Sequence, residues 1–496
     1  MGYNFRPYDQ KTQYLLPPSI ADWVAEDSLA RFVNDVVEHL DREGRLDGIY
    51  RAYRADGWGA AAFHPQMMVK VLLYAYSQGV TSSRKIAWAL ENDVAFRYLA
   101  ANEQADFRTI ALFRSRHLSV LEGLFVEILR LCKEAGLVKM NRVALDGHKV
   151  AANAALDQNR TLEGLQTEKE KIKAEVKRML EAAEQTDRAE DAEFGPDVRG
   201  DELPEGLRTK KERLERIAAA QKRLQEAEQR ARETQAQKIE QRVQEEAQTG
   251  RKKRGRKPKD PEAAVNKEAR ANTTDPDRLR RTQSSRRIMK GRHGHMQAYN
   301  GQAVVDCESQ VIVAEALTQD ENDVNQLAPM LEQCEKQAGE RPKESLQDAG
   351  YWSEENAKLE TETTQLFIAT TKDWKQRKAL REKSVPQEPP PANATLKERM
   401  EHKLLTDYGR AAYKQRSATV EPVFGQMTTR HLVRFLLRGV GKVSGEWSLW
   451  CTSHNLLKLW RSGFVPGLKR VAAAIGKAIT PPKGDALPRA EAVSVG

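Results

Sequence analysis

Apolar residues recur at helical spacing through the first 135 positions. In PPSIADWVAEDSLARFVNDVVEHLD they fall at Val24, Leu29, Phe32, Val33, Val36, Val37 and Leu40, the stripe of an amphipathic helix. A strongly apolar helix is predicted behind Pro65, in HPQMMVKVLLYAYSQGV. After a break at Gly79, SSRKIAWALENDVAFRYLA predicts another, with Ser82 or Ser83 as N-cap. RTIALFRSRHLSVLEGLFVEILRLCKEAG reads as one more helix or a pair. Short helices joined by tight turns suit a helix-turn-helix-like DNA-binding unit or a plain helical domain.

The pattern changes at residues 141–151. NRVALDGHKVA is short, apolar and rich in β-branched residues, with a polar break at Asp146-Gly147, and predicts a strand. It changes again from 158 to about 250, where Glu, Lys, Arg, Gln and Ala dominate. These favour helix, but apolar positions are sparse (Leu214, Ile217, Leu224, Ile239, Val243), so any coiled-coil seam is weak. With the Gly, Pro and Asp around 195–205 as the turn, the segment reads as a projecting helical hairpin or a solvated charged stretch. A basic run, RKKRGRKPK, occupies 251–259, followed by a polar linker to 285.

Strand patterning returns near 293. HMQAYNGQAVVDCESQVIVAEALTQD predicts two strands with a turn at Asp306-Cys307-Glu308-Ser309. A helix (NDVNQLAPMLEQCEKQAG), a strand ending at Asp348 (ESLQDAGYWS), a short helix (EENAKLETE) and a strand (QLFIATT) follow. Residues 376–400 read as a Pro- and charge-rich loop. AAYKQRSATVEPVFGQMTTR and SGEWSLWCTSHNLLKLWRSG are expected as helices, the second with Trp447, Trp450, His454 and Leu457 on one face. Without the insert, this is the element order of a ribonuclease-H-like α/β domain, a mixed sheet flanked by helices. The expected organisation is an all-α DNA-binding domain over 1–135, a catalytic domain over 141–154 and 286–465, a long helical insertion over 155–285, and a flexible basic tail over 466–496.

Composition adds three constraints. The net charge of +10 and pI near 9.2 favour a polyanionic partner, nucleic acid before an anionic membrane. Cys132, Cys307, Cys334 and Cys451 are scattered and form no C-x-x-C pair, which argues against a zinc knuckle or disulfide framework and suits a reducing cytoplasm. No apolar signal core opens the sequence, and no run of roughly 18 apolar residues predicts a membrane span.

Three carboxylates stand at telling places: Asp146 inside the first strand, Asp348 at the end of a later one, and Glu421 on a late helix. Cleaving a phosphodiester needs an activated oxygen nucleophile and a stabilised leaving oxygen, which two Mg²⁺ ions roughly 4 Å apart supply. Mg²⁺ takes hard oxygen ligands, typically one or two carboxylates with phosphates and waters. Of the competing acids, Asp306 reads as a turn residue, and Asp320 and Asp323 as N-caps. His148 falls on the same strand face as Asp146 and reads as a partly buried strand histidine.

These pieces resemble the DDE transposases of bacterial insertion sequences, in particular the group with a Tyr-Arg-Glu signature. The matching segments are ALDGHKVAANA around Asp146, LQDAGYWS around Asp348, and YKQRSATVEPVFGQM with Tyr413, Arg416 and Glu421. HPQMMVKVLLYAYSQGVTSSRKIAWAL resembles that group's N-terminal helical domain, and RFLLRGVGKVSGEWSLWCTSHNLLKL its C-terminal helix. Four residues separate Arg416 from Glu421, one more than in the usual signature, and Thr428 stands where a later base is expected. The resemblance implies that Asp146, Asp348 and Glu421 bind two Mg²⁺ or Mn²⁺ ions, and that Tyr413 and Arg416 contact phosphate or hold the transposon end. It further implies cleavage at terminal inverted repeats of double-stranded DNA, strand transfer into target DNA, a homodimer or higher assembly, and a bacterial cytoplasmic, nucleoid-associated protein.

Within the basic run, Arg254, Gly255, Arg256, Lys257 and Pro258 resemble an AT-hook core. Glycine lets the backbone sit deep in a narrow A·T-rich minor groove while arginines enter its negative potential. Lys252, Lys253 and Lys259 add phosphate attraction. Two other readings stay open: a non-catalytic DNA-binding or architectural protein derived from a transposase, and a ribonuclease-H-like nuclease that cuts without joining.

Overall fold

Residues 19–53, 61–154, 159–194, 207–249, 260–261, 270–272, 279–280, 289–291, 294–391 and 393–466 are described by a computed structural model. Seven helices open it: α1 (Leu29–Arg42), α2 (Asp47–Tyr50), α3 (Pro65–Ser77), α4 (Ser83–Asn92), α5 (Val94–Leu99), α6 (Phe107–Arg116) and α7 (Leu118–Glu134). Their starts follow local chemistry. The Ser28, Asp93 and Asp106 side chains accept backbone N–H bonds in the first turns of α1, α5 and α6, satisfying donors that a helix leaves unpaired. Pro65 occupies the first turn of α3, a helix buried almost all round. The predicted stripe of α1 is buried at Leu29, Val33, Val36, Val37 and Leu40.

Strand β1 (Arg142–Ala151) leads into an insert of β2 (Asn159–Thr161), α8 (Leu162–Phe194), α9 (Leu207–Thr249), β3 (Arg270–Asn272) and β4 (Leu279–Arg280). The hairpin of α8 and α9 is joined at one end by a small cluster of Leu165, Ile217, Ala220 and Leu224, and by pairs of Arg213 with Glu168 and Lys210 with Glu175. β2, β3 and β4 form a small sheet. The basic run, with Lys253, Arg254, Arg256 and Lys257, lies outside the described residues.

A two-stranded ribbon, β5 (Met289–Gly291) and β6 (Gly294–Met296), precedes the rest: β7 (Ala298–Asp306), β8 (Ile312–Thr318), α10 (Leu327–Ala338), β9 (Glu344–Gln347), α11 (Glu354–Ala357), β10 (Gln365–Ile368), α12 (Asp373–Glu382), α13 (Leu396–Leu405), α14 (Asp407–Thr429) and α15 (Val440–Arg461). The main sheet runs β10-β9-β1-β7-β8. β1 is antiparallel to β7 and parallel to β9; β8 is antiparallel to β7, and β10 parallel to β9. All nine residues of β7 are buried, as expected of an inner strand covered on both faces.

α14 lies across β1 and β9, and α15 lies against β8, α7 and α3. Gly301 of β7 makes room for α15: a Cβ there would come 2.8 Å from the Trp447 ring. Trp450 meets Tyr76 of α3 edge-on at 5.5 Å. One hydrophobic core therefore runs from the N-terminal helices through α15 into the sheet.

Three expectations are corrected. Residues 376–400 are not one loop, since α12 and α13 occupy its ends. Arg410 secures α12 by donating to the Leu380 and Lys383 carbonyls, and also to that of Leu405. α15 has no single buried face, because every residue from Gly445 to Leu456 is buried. Neither Asp320 nor Asp323 caps a helix: Asp320 accepts from the Gln326 side chain, and the 3-10 turn Asp323–Asn325 has no side-chain cap. Asp306 is a turn residue as expected, accepting from the Glu308 and Ser309 N–H groups and also from those of Lys139 and Met140.

Candidate active site

The two aspartates come together through the register of β1 and β9. Leu145 pairs with Gln347, so the next residues, Asp146 and Asp348, lie side by side on neighbouring parallel strands. Asp348 caps the 3-10 turn Ala349–Tyr351, its Oδ1 accepting from the Gly350 N–H at 2.8 Å. Asp146 accepts from the Gly147 N–H at 2.8 Å.

The Asp146 carboxyl is pushed up to about 7, first by burial and then by the negative charge of Asp348. Arg416 of α14 opposes that rise, its Nη1 lying 3.0 Å from Asp146 Oδ2. Arg416 is itself buried, so two opposite charges meet where water screens them little. Tyr413, one turn earlier, is also buried, with its ring 6.0 Å from the guanidinium. Both line a cavity of about 540 Å³ with Leu380, Arg381, Arg410, Lys414 and Ser417.

Glu421 is placed differently. Five residues beyond Arg416, it lies roughly 140° further around α14 and is exposed. His148 follows strand alternation onto the Asp146 face and stacks on Phe424 of α14, centroids 4.8 Å apart and planes at 15°. Burial pulls it down to about 4, which makes it a neutral packing residue.

The sequence reading missed Asp323. Its Oδ1 accepts 2.7 Å bonds from the Asn300 and Gln302 side-chain amides, and its charge adds to the rise at Asp146. The available signal was Asn300 and Gln302 themselves, two amides on one face of an otherwise apolar strand.

The side chains grouped around Asp146 and Asp348 offer oxygen donors and neutral amides, a set suited to a hard divalent cation and not to zinc or copper. The raised Asp146 carboxyl fits such an ion, whose charge would relieve the repulsion between the aspartates. Among the described residues, no group of three or more His, Cys, Asp or Glu side chains is drawn together as a ready-made metal cage. Also among them, no helix is long and apolar enough to cross a membrane.

Comparison with known families gives two matches. Residues 18–116 match the family described as Transposase domain (DUF772), spanning α1 through α6. Residues 375–460 match the Transposase DDE domain, a segment that holds Tyr413, Arg416 and Glu421 but ends short of Asp146 and Asp348 on the N-terminal side. Searches of curated proteins and of solved structures found no match. Both matching families are transposase domains, one toward each end of the described chain, and together they support an insertion-sequence DDE transposase.

Proposed function

We propose that this transposase cleaves DNA at the ends of its element and joins the freed ends to target DNA at the centre formed by Asp146 and Asp348. The observation that carries the reading is their adjacency, Asp146 within β1 where its pairing with β9 stops and Asp348 just past the end of β9, with Arg416 set against Asp146. The order β8-β7-β1-β9-β10, antiparallel then parallel, supports reading it as a ribonuclease-H-like sheet.

Asp146 and Asp348 would hold Mg²⁺ or Mn²⁺ with Glu421 as the third acid, the pair of ions serving to activate the attacking oxygen and stabilise the leaving one. Glu421 would have to enter that role from the exposed side of α14. Hydrolysis and joining are the same in-line displacement with water or a 3′ hydroxyl as nucleophile. Arg416 orients Asp146 and opposes the rise that burial and Asp348 impose on its carboxyl. With Tyr413 it lines a cavity whose guanidinium and ammonium groups suit DNA phosphate.

Double-stranded DNA is the partner. The N-terminal helices offer a face for it: Arg84 and Lys85 with Trp88 on α4, and Arg108, Leu112 and Arg116 on α6, all exposed. Arg84 lies over the Phe107 ring at 5.2 Å and joins the two helices. Arg254, Arg256, Lys253 and Lys257 add a second, minor-groove contact. Two element ends must be handled together, which calls for a homodimer or larger assembly, with the α8–α9 hairpin available for that contact. The work is that of a bacterial cytoplasmic protein.

The test is strand cleavage and strand transfer on a labelled duplex carrying the element's own end, with Mg²⁺ or Mn²⁺. Metal-dependent activity that disappears in Asp348→Ala supports the reading. Cleavage without transfer makes the protein a nuclease, and tight DNA binding without cleavage in any metal makes it architectural.

A further inference from the structure

On the face of β1 opposite Asp146, Gly147 carries no side chain, and two amides of β7 fill the space. Asn300 and Gln302 are both fully buried. A Cβ on Gly147 would fall 2.5 Å from Asn300 Oδ1, 2.5 Å from Gln302 Nε2 and 2.7 Å from Asp323 Oδ1. Glycine is thus what lets the Asp323 carboxylate close onto the strand. Asn300 Oδ1, buried and without a hydrogen-bond partner, points into this same space.

The clamp continues to the other aspartate. Gln302 Oε1 accepts from the Tyr351 hydroxyl at 2.5 Å, and Tyr351 ends the turn that Asp348 caps. Asn356 ties the two turns together, its Nδ2 donating to the Val324 carbonyl at 2.6 Å and the Tyr351 carbonyl at 2.7 Å.

Both amide bonds to Asp323 fall on Oδ1, and Oδ2 is turned toward Gly350. The Cβ that Gly350 lacks would lie 3.5 Å from Asp323 Oδ2 and 2.9 Å from Asp348 Oδ1. Two carboxylate oxygens therefore border one point, just past the end of β9. Like charges so placed repel. Two buried amides fix one of them, and it has no capping task.

We propose that Asp323 is a further carboxylate of the acid centre, contributing Oδ2 alongside Asp348 and Asp146 to hold the divalent cation. This rests on the metal-dependent reading above. It assigns the loop before α10 a direct part in the site, from the side of the sheet opposite Arg416.

The experiment is titration of Mn²⁺ into the full chain, followed by loss of the free-ion paramagnetic resonance signal, with the melting temperature in EDTA as the measure of fold. Asp348→Asn is the reference for the metal reading and is expected to weaken binding. Asp323→Asn keeps an oxygen for the Asn300 and Gln302 amides, so its melting temperature in EDTA stays near that of the parent. Its Mn²⁺ affinity is expected to fall at least about 10-fold, since removing even a group that only supports a metal ligand costs about 10- to 100-fold. Parent-like Mn²⁺ binding in Asp323→Asn, with binding lost in Asp348→Asn, overturns the role of Asp323 and leaves the metal reading standing. A parent chain that binds no Mn²⁺ overturns both.

Discussion

The Arg416 guanidinium sits 3.0 Å from the Asp146 carboxylate, across 270 residues of chain. It is the positive charge that the protein itself supplies to a carboxyl held beside another carboxyl. Removing one member of a buried pair leaves the other charge uncompensated. Arg416→Ala is therefore expected to lower stability by about 3 kcal/mol and to abolish cleavage. Adding Asp146→Asn to Arg416→Ala should recover most of that stability without recovering cleavage. Chemical denaturation of the single and double variants checks this. Strictly additive losses would show that the two residues do not interact.

How much of this was legible in the sequence depends on where each residue's partner lies. Asp146 was legible because it interrupts an apolar strand, and Asp348 because it ends one. Their adjacency followed from the element order alone. The partner of Arg416 was not legible: a salt bridge across 270 residues leaves no local mark. Asp323 was misread as a cap because acids before helices usually are caps; here two amides from another strand capture it instead. α15 was read as one-faced, since sequence periodicity cannot show that α7, α3 and β8 enclose it.

Gly301 makes the contact between β7 and α15 testable. A methyl there would collide with the Trp447 ring at 2.8–2.9 Å. Neither the inner strand nor the buried tryptophan has room to yield. Gly301→Ala is expected to cost about 1–3 kcal/mol, read as a drop of several degrees in melting temperature. Because Gly301 sits between Asn300 and Gln302, Mn²⁺ affinity should fall with it. An unchanged melting temperature would mean that α15 does not rest on this strand.

Glu315 gives a pH signature two strands across the sheet from Asp146, in the same row. It is buried on β8, with Oε1 accepting from Ser448 at 2.7 Å and Oε2 without a partner. Burial pushes it from 4.5 to about 7, so the folded protein holds a proton that the unfolded chain releases at lower pH. Its contribution is fully present below pH 4.5 and is lost as pH rises to about 7. The amount is on the order of 3 kcal/mol. Glu315→Gln, which cannot ionise, should be the more stable protein above pH 7 and should lack this part of the pH dependence. Parallel stability–pH curves for parent and variant would refute the assignment.

Salt dependence separates the proposed DNA contacts by chemistry. Each phosphate neutralised by Lys or Arg adds about 0.9 to the slope of log affinity against log salt. Arg84→Ala with Arg108→Ala should therefore weaken binding to the element's end and lower the slope. Trp88, 64% exposed between these helices and solvent, carries no charge; Trp88→Ala should weaken binding with the slope unchanged. Deleting 251–259 should lower the slope and weaken A·T-rich duplexes most, since the minor-groove contact depends on groove width. If the arginine pair leaves both affinity and slope untouched while the deletion abolishes binding, the α4–α6 face is not where DNA sits, and recognition belongs to the basic run and the catalytic face.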